Sequence, residues 1–127
     1  MEDMTMLQNL FESFTLNTNF LTWALLIGVV IDFITGIAKG YKLDGKVSSK
    51  KLRNGGFKKA GIVLVVVLSY VLSVLFTDTN HIIFNSVQCY YIYMEIISTL
   101  ENLDELGVRL PKMFTKILGD NKESEEN

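Results

Sequence analysis

Residues 20–76 read FLTWALLIGVVIDFITGIAKGYKLDGKVSSKKLRNGGFKKAGIVLVVVLSYVLSVLF, and this stretch decides the fold. Two apolar blocks enclose a basic one. Residues 20–38 hold a single charge, Asp32, in 19 positions. At 1.5 Å of rise per residue such a helix crosses most of a hydrocarbon core of roughly 30 Å. Residues 60–76 hold no charge in 17 positions, near the short limit for a span. Valine-rich as it is, this block has no strand partners elsewhere, so both blocks are predicted as transmembrane helices. The first is not a signal peptide, because no basic segment precedes it and no small-x-small cleavage site follows.

Between them, residues 39–59 carry Lys39, Lys42, Lys46, Lys50, Lys51, Arg53, Lys58 and Lys59 against Asp44 alone, a net charge of +7. Basic segments beside spans stay on the cytoplasmic side. This places 39–59 inside, as a cytoplasmic loop, and the N-terminus outside. The same bases suit contact with anionic membrane lipids. No aromatic platform accompanies them, so nucleic acid is not expected as a partner. Ser48 is predicted to cap a short helix, SSKKLRNG, stopped by Gly55 and Gly56. Lys58 and Lys59 are predicted to snorkel from the second span to the headgroups.

Outside this stretch the chain of 127 residues keeps the same segregation, with 49% hydrophobic and 20% charged residues and a mean hydropathy of +0.28. That excludes a disordered chain and argues against a soluble globule. A single cysteine, Cys89, and a single histidine, His81, exclude an internal disulfide and the usual zinc sites. No nucleophile–base pair, phosphate-cradling loop or metal cluster is legible. An enzyme, a cofactor and a catalytic or metal site are therefore not expected.

A third block, IIFNSVQCYYIYMEIISTL at residues 82–100, has a span's length but contains Asn85, Gln88 and Glu95. On a helical wheel these join Ser98, Thr99 and Asn102 on one arc, opposite Ile83, Val87, Tyr90, Met94 and Ile97. Residues 82–104 thus read as an amphipathic helix. It is either a third span with its polar arc on protein or water, or a helix lying in the interface. Residues 1–19 form an N-terminal interfacial segment, where Met4, Leu7, Phe11 and Phe14 follow a helical spacing. Residues 105–127 form a cytoplasmic C-terminal segment. In it PKMFTKILG reads as a short helix with Pro111 in its first turn and Gly119 as its stop, followed by an acidic tail. Met113, Phe114, Ile117 and Leu118 are expected to rest on the membrane. The fold class expected is an all-α membrane protein with three transmembrane helices, the third amphipathic, and interfacial helices at both ends.

Two stripes run through the spans. Ala24, Gly28, Asp32, Gly36 and Gly40 recur every four residues, and Gly61, Val65, Ser69, Ser73 and Thr77 form a weaker ladder. Small residues let helix backbones approach closely. The packing predicted from Ala24, Gly28, Asp32, Gly36, Gly61, Ser69 and Ser73 lies either within one hairpin or between subunits. Asp32 must be protonated, paired or wet, at a cost of about 2.5–3.5 kcal/mol on insertion scales. Its expected partner is a loop lysine, Lys39 above all; the other reading is a water path. Glu95 poses the same question, and the arc of Asn85, Gln88, Glu95, Thr99 and Asn102 is the candidate polar or gating face.

Two segments carry a family resemblance. VVIDFITGIAKGYKLDGKVSSKKLRNGGFKKAGIVLVV has an Asp-aromatic-x-Thr-Gly turn, a Ser-Ser basic segment and Lys-Lys entering an apolar span. YMEIISTLENLDELGVRLPK has an acid-x-x-Ser-x-x-Glu-Asn block followed by Gly-Val and a proline. Together they resemble the bacteriophage holin family, in the branch that includes holin-like proteins encoded beside large clostridial toxins. The matching positions are Asp32, Thr35, Gly36, Ser48, Ser49, Lys58, Lys59, Glu95, Ser98, Glu101, Asn102, Gly107 and Pro111. The resemblance implies a multi-pass protein of the bacterial inner membrane that forms homo-oligomers and permeabilises the membrane. It implies a functional link to an endolysin or a secreted toxin, and an antiholin as a further partner. It carries no catalytic role. The rival readings are a non-lytic antiholin or toxin-export component, and an oligomeric membrane scaffold.

Overall fold

The computed structural model describes residues 2–16 and 19–126, with side chains for 3–12 and 19–124. Phe14 and the first and last residues of the terminal segments therefore fall, in whole or in side chain, outside the described residues. Those described form five helices: α1 (Glu2–Leu16), α2 (Phe20–Asp44), α3 (Ser49–Leu75), α4 (Ile82–Glu105) and α5 (Lys112–Glu126).

The first two long helices are bounded by side-chain and glycine caps. Asn19 accepts the Thr22 N–H at 3.2 Å to open α2. Gly45, at φ 72°, closes it with an N–H to the Tyr41 carbonyl at 2.9 Å. Ser48 accepts the Lys51 N–H at 3.4 Å to open α3. The basic segment is therefore mostly helix, and only residues 45–48 lie outside α2 and α3. The stop expected at Gly55 and Gly56 is corrected, because α3 runs unbroken through both. A mid-helix glycine costs roughly 1 kcal/mol against alanine. It ends a helix only by taking a left-handed φ, and neither does. Gly55 instead gives room to α2, since a Cβ there would lie 3.8 Å from the Phe33 ring.

The 45–48 turn sends α3 back antiparallel to α2, and residues 76–81 turn α4 parallel to α2. Asn19–Asn85 at one end and Lys39–Glu105 at the other fix that parallel register. Helix α4 is the central one. It packs along α2 and against α3, which otherwise meet each other little. Leu25, Val66, Tyr70 and Phe84 form the buried cluster where the three helices converge, and Leu10 of α1 docks on it. Met4, Leu7 and Phe11 of α1 stay exposed.

Among the described residues, two helices are long and apolar enough to cross a membrane, α2 and α3. Only 17% and 22% of their most apolar stretches are buried, so their apolar surface points outward, unlike that of a soluble core helix. The expected count of three spans is thereby corrected to two. Helix α4 has 24 residues, but Asn85, Gln88 and Glu95 keep it from matching the other two in apolarity.

The C-terminal segment also departs from expectation. Pro111 precedes α5 and offers its carbonyl to the Phe114 and Thr115 N–H groups. Gly119 does not stop the helix, which continues to Glu126. Leu118 is buried against Ile97 and Leu100, with Phe114 and Ile117 beside it, so this face rests on α4. Met113 alone of the four residues expected on the membrane is fully exposed.

Candidate functional site

The polar arc of α4 faces inward. Asn85, Gln88, Glu95 and Asn102 each meet a polar group of α2 or α3, and Thr99 is half-buried on the same arc. At the first end, Asn19 Nδ2 donates to Asn85 Oδ1 at 3.0 Å. One turn on, Thr22 Oγ1 donates to Gln88 Oε1 at 2.5 Å. Further along, Asn102 Nδ2 donates to Asp32 Oδ1 at 3.0 Å and to Thr35 Oγ1 at 3.1 Å. Beyond that, Lys39 pairs with Glu105 at 3.0 Å, and Lys42 Nζ donates to the Leu106 carbonyl at 2.6 Å. Gly107, at φ 88°, closes α4 there.

Lys59 occupies the middle of this seam. Its ammonium donates to Asp32 Oδ2 and to Glu95 Oε2, both at 2.5 Å. Asp32 is 7% exposed and Glu95 4%. Three helices thus meet at one cation and two carboxylates. This corrects the expected pairing of Asp32 with Lys39. Seven residues along the same helix, Lys39 stands two turns away and meets Glu105. Lys59, antiparallel on α3, arrives at Asp32's own depth. It also corrects the expectation that Lys59 snorkels outward, whereas Lys58 does stay exposed.

The glycine ladder of α2 is what lets α4 come so near. A Cβ on Gly28 would lie 3.6 Å from the Cβ of Glu95, and one on Gly36 would lie 3.7 Å from Asn102 Nδ2. Ala24 is half-buried and Gly40 has open space. The ladder of α3 divides. Ser69 and Ser73 are buried, with Ser69 Oγ donating to its own Val66 carbonyl at 2.6 Å. Gly61 has nothing within 4 Å. Of the remaining bases, Lys51 pairs with Asp44 at 3.2 Å on the surface, while Lys42, Lys46, Lys50 and Arg53 are exposed.

The first end of the seam, beside Asn85, is tied by Asp78 in the turn before α4. Its Oδ2 accepts the Ile83 N–H at 2.8 Å, and Ser73 Oγ accepts the Phe84 N–H at 3.1 Å. The Ile83 N–H holds the Asp78 carboxyl below its ordinary range; burial opposes it, and the Ile82 N–H and Ser73 hydroxyl add smaller contributions in the same direction as Ile83. His81, at φ 51°, stacks its ring on Tyr70 with 5.6 Å between centroids. Among the described residues, two polar atoms, Gln88 Nε2 and His81 Nδ1, are buried with no hydrogen-bond partner. Most buried polar groups in proteins are paired, so the seam is not saturated within one chain.

Sequence reasoning missed Lys59, Thr22 and Asn19 as seam residues. One signal for Lys59 was available. Asp32 lies 13 residues before Gly45 and Lys59 lies 11 after Ser48, so a hairpin sets them at matching depths.

The profile of the bacteriophage holin family matches residues 9–123. An uncharacterised protein of Clostridium perfringens is 37% identical over 95 residues, 74% of this chain and 69% of its own length. An uncharacterised protein of Listeria monocytogenes is 30% identical over 79% of this chain and 70% of its own. The probable holin of Bacillus phage phi105 is 30% identical over 72% of this chain and 66% of its own. No solved structure matches the chain.

Proposed function

Because the chain belongs to the bacteriophage holin family, we propose that it oligomerises in the bacterial inner membrane and permeabilises it, giving an endolysin access to the wall and ending in host lysis. It acts by assembly, and no residue is assigned a catalytic role or a cofactor. Helices α2 and α3 cross the bilayer with their apolar faces on lipid. The 45–48 turn lies in the cytoplasm, the N-terminus outside, and the basic segment contacts anionic lipid. Helix α4 accompanies the two spans as a sheltered partner whose outward face is apolar and whose polar arc is turned inward.

The observation that carries this reading is the Asp32–Lys59–Glu95 junction at the centre of that arc. Polar groups facing hydrocarbon are costly, so a lone subunit hides them. As copies accumulate, the same arc faces water in a ring of subunits, leaving an apolar exterior. Gln88 Nε2, which finds no partner within one chain, supports a second arrangement of this arc. The experiment is induced expression with a potential-sensitive dye. Collapse of the potential by this protein alone supports a holin, and an intact potential with normal oligomers supports a scaffold.

A second reading has one observation in its favour. A relative in Clostridium perfringens, 37% identical, is named for its place in the nagH 3′ region rather than for a phage. A toxin-export component or an antiholin would share every residue described above. Release of a co-expressed endolysin's activity on the wall separates lysis from both.

A further inference from the structure

Toward the 45–48 turn, α2, α3 and α4 leave between them a cavity of about 610 Å³. This lies within the roughly 300–1,000 Å³ of ordinary ligand sites. Phe33 and Ile37 of α2, Ile62 of α3 and Met94 of α4 give it apolar wall, and the carboxylates of Asp32 and Glu95 that also line it are already held by Lys59. Toward the turn it is lined by lysines. Two of these, Lys51 and Lys58, are free to take a new anion. Lys51 holds only Asp44, in a pair whose side chains are 75% and 49% exposed, which is weak in water. Lys58 is exposed and has no carboxylate partner among the described residues.

We propose that this cavity is a binding site for one anionic phospholipid, its phosphate on Lys51 and Lys58 and its acyl chain along Phe33, Ile62 and Met94. The inference rests on the reading that α2 and α3 cross the membrane. Basic pockets between membrane helices on the cytoplasmic side hold anionic headgroups. A free phosphate would use the lysines and leave the apolar walls bare. A zwitterionic lipid would use the walls but bring its own ammonium beside the phosphate, which repels the lysines. An amphipathic anion uses both.

The test is native mass spectrometry of the purified full chain with phosphatidylglycerol or phosphatidylcholine. The parent is expected to retain one phosphatidylglycerol and to release phosphatidylcholine. Removing Lys51 and Lys58, each to Gln, should weaken retention by about fivefold per lysine. Lys46→Gln with Lys50→Gln removes the same charge outside the cavity and should leave retention within about twofold of the parent. Ile62→Trp fills the cavity and should evict the lipid with every lysine in place; Met94→Trp repeats this from the other wall if α3 fails to fold. Equal loss from both lysine pairs, equal retention of phosphatidylcholine, or complete displacement by inorganic phosphate would overturn the site. No permeabilisation is read here, so failure of this site and failure of the holin reading are told apart.

Discussion

Lys59 Nζ lies 2.5 Å from Asp32 Oδ2, although 27 residues and a helix reversal separate the two. The contact joins α3 to α2, which otherwise meet each other little, and Glu95 brings α4 to the same ammonium. Leaving buried carboxylates without their cation costs about 3–5 kcal/mol. Lys59→Met is therefore expected to lower unfolding stability in detergent by about that amount. Adding Asp32→Asn and Glu95→Gln to it should recover most of the loss. A single variant as stable as the parent would remove the junction from the account.

Gly28 is the point of nearest approach that can be graded by size. Its hypothetical Cβ makes an ordinary contact at 3.6 Å with Glu95. Gly28→Ala should then be neutral or stabilising, by up to about 1 kcal/mol from helix propensity. Gly28→Leu drives a side chain into α4 and should cost about 1–3 kcal/mol. Thermal melts of both in one detergent test this. If Leu behaves like Ala, α4 is not seated on the ladder.

Asp78 supplies a pH dependence at the turn before α4. Its folded carboxyl is held below the ordinary 3.8 by the Ile83 N–H. The unfolded state therefore takes up the proton first as pH falls, and the stabilisation is complete above about pH 4 and lost below it. Asp78→Asn should lack that component. The stability difference between parent and variant is expected to shrink as pH is lowered from 5 to 2 (approximate bounds set by linkage). A constant difference across that window would contradict the cap.

Topology follows from the basic segment around residues 45–48. In a Cys89→Ser background, Lys46→Cys should resist an impermeant thiol reagent in intact cells, and Asn80→Cys should react. Labelling of Lys46→Cys before any permeabilisation would reverse the orientation.

What was legible in the sequence was decided by composition at the scale of whole helices. Residues 20–38 and 60–76 could hardly be anything but apolar helices, and the arc through Asn85, Gln88 and Glu95 identified α4 as two-faced. Helix ends were less legible. Residue type makes Gly55, Gly56 and Gly119 look like stops, whereas stopping depends on the φ that Gly45 and Gly107 adopt and these three do not. The partner of Asp32 was missed for a related reason. Nearness in sequence favoured Lys39, and only the hairpin's return brings Lys59 to the same depth. The face of α5 was legible as apolar, but not that Leu118 would spend it on Ile97 and Leu100.

The central claim is that the inward arc of α4 becomes the wet wall of the assembled lesion. Glu95 tests it, being 4% exposed at the middle of that arc. The measurement is potential-sensitive dye release after induction, at matched amounts of protein in the membrane. Ile96→Leu, on the exposed face and outside the cavity, serves as the control. The account predicts that Glu95→Gln, which keeps size and polarity, shifts the time of collapse. It predicts that Glu95→Leu assembles without collapse, while Ile96→Leu follows the parent. Collapse by Glu95→Leu on the parent's schedule would contradict it and leave α4 as an anchor alone.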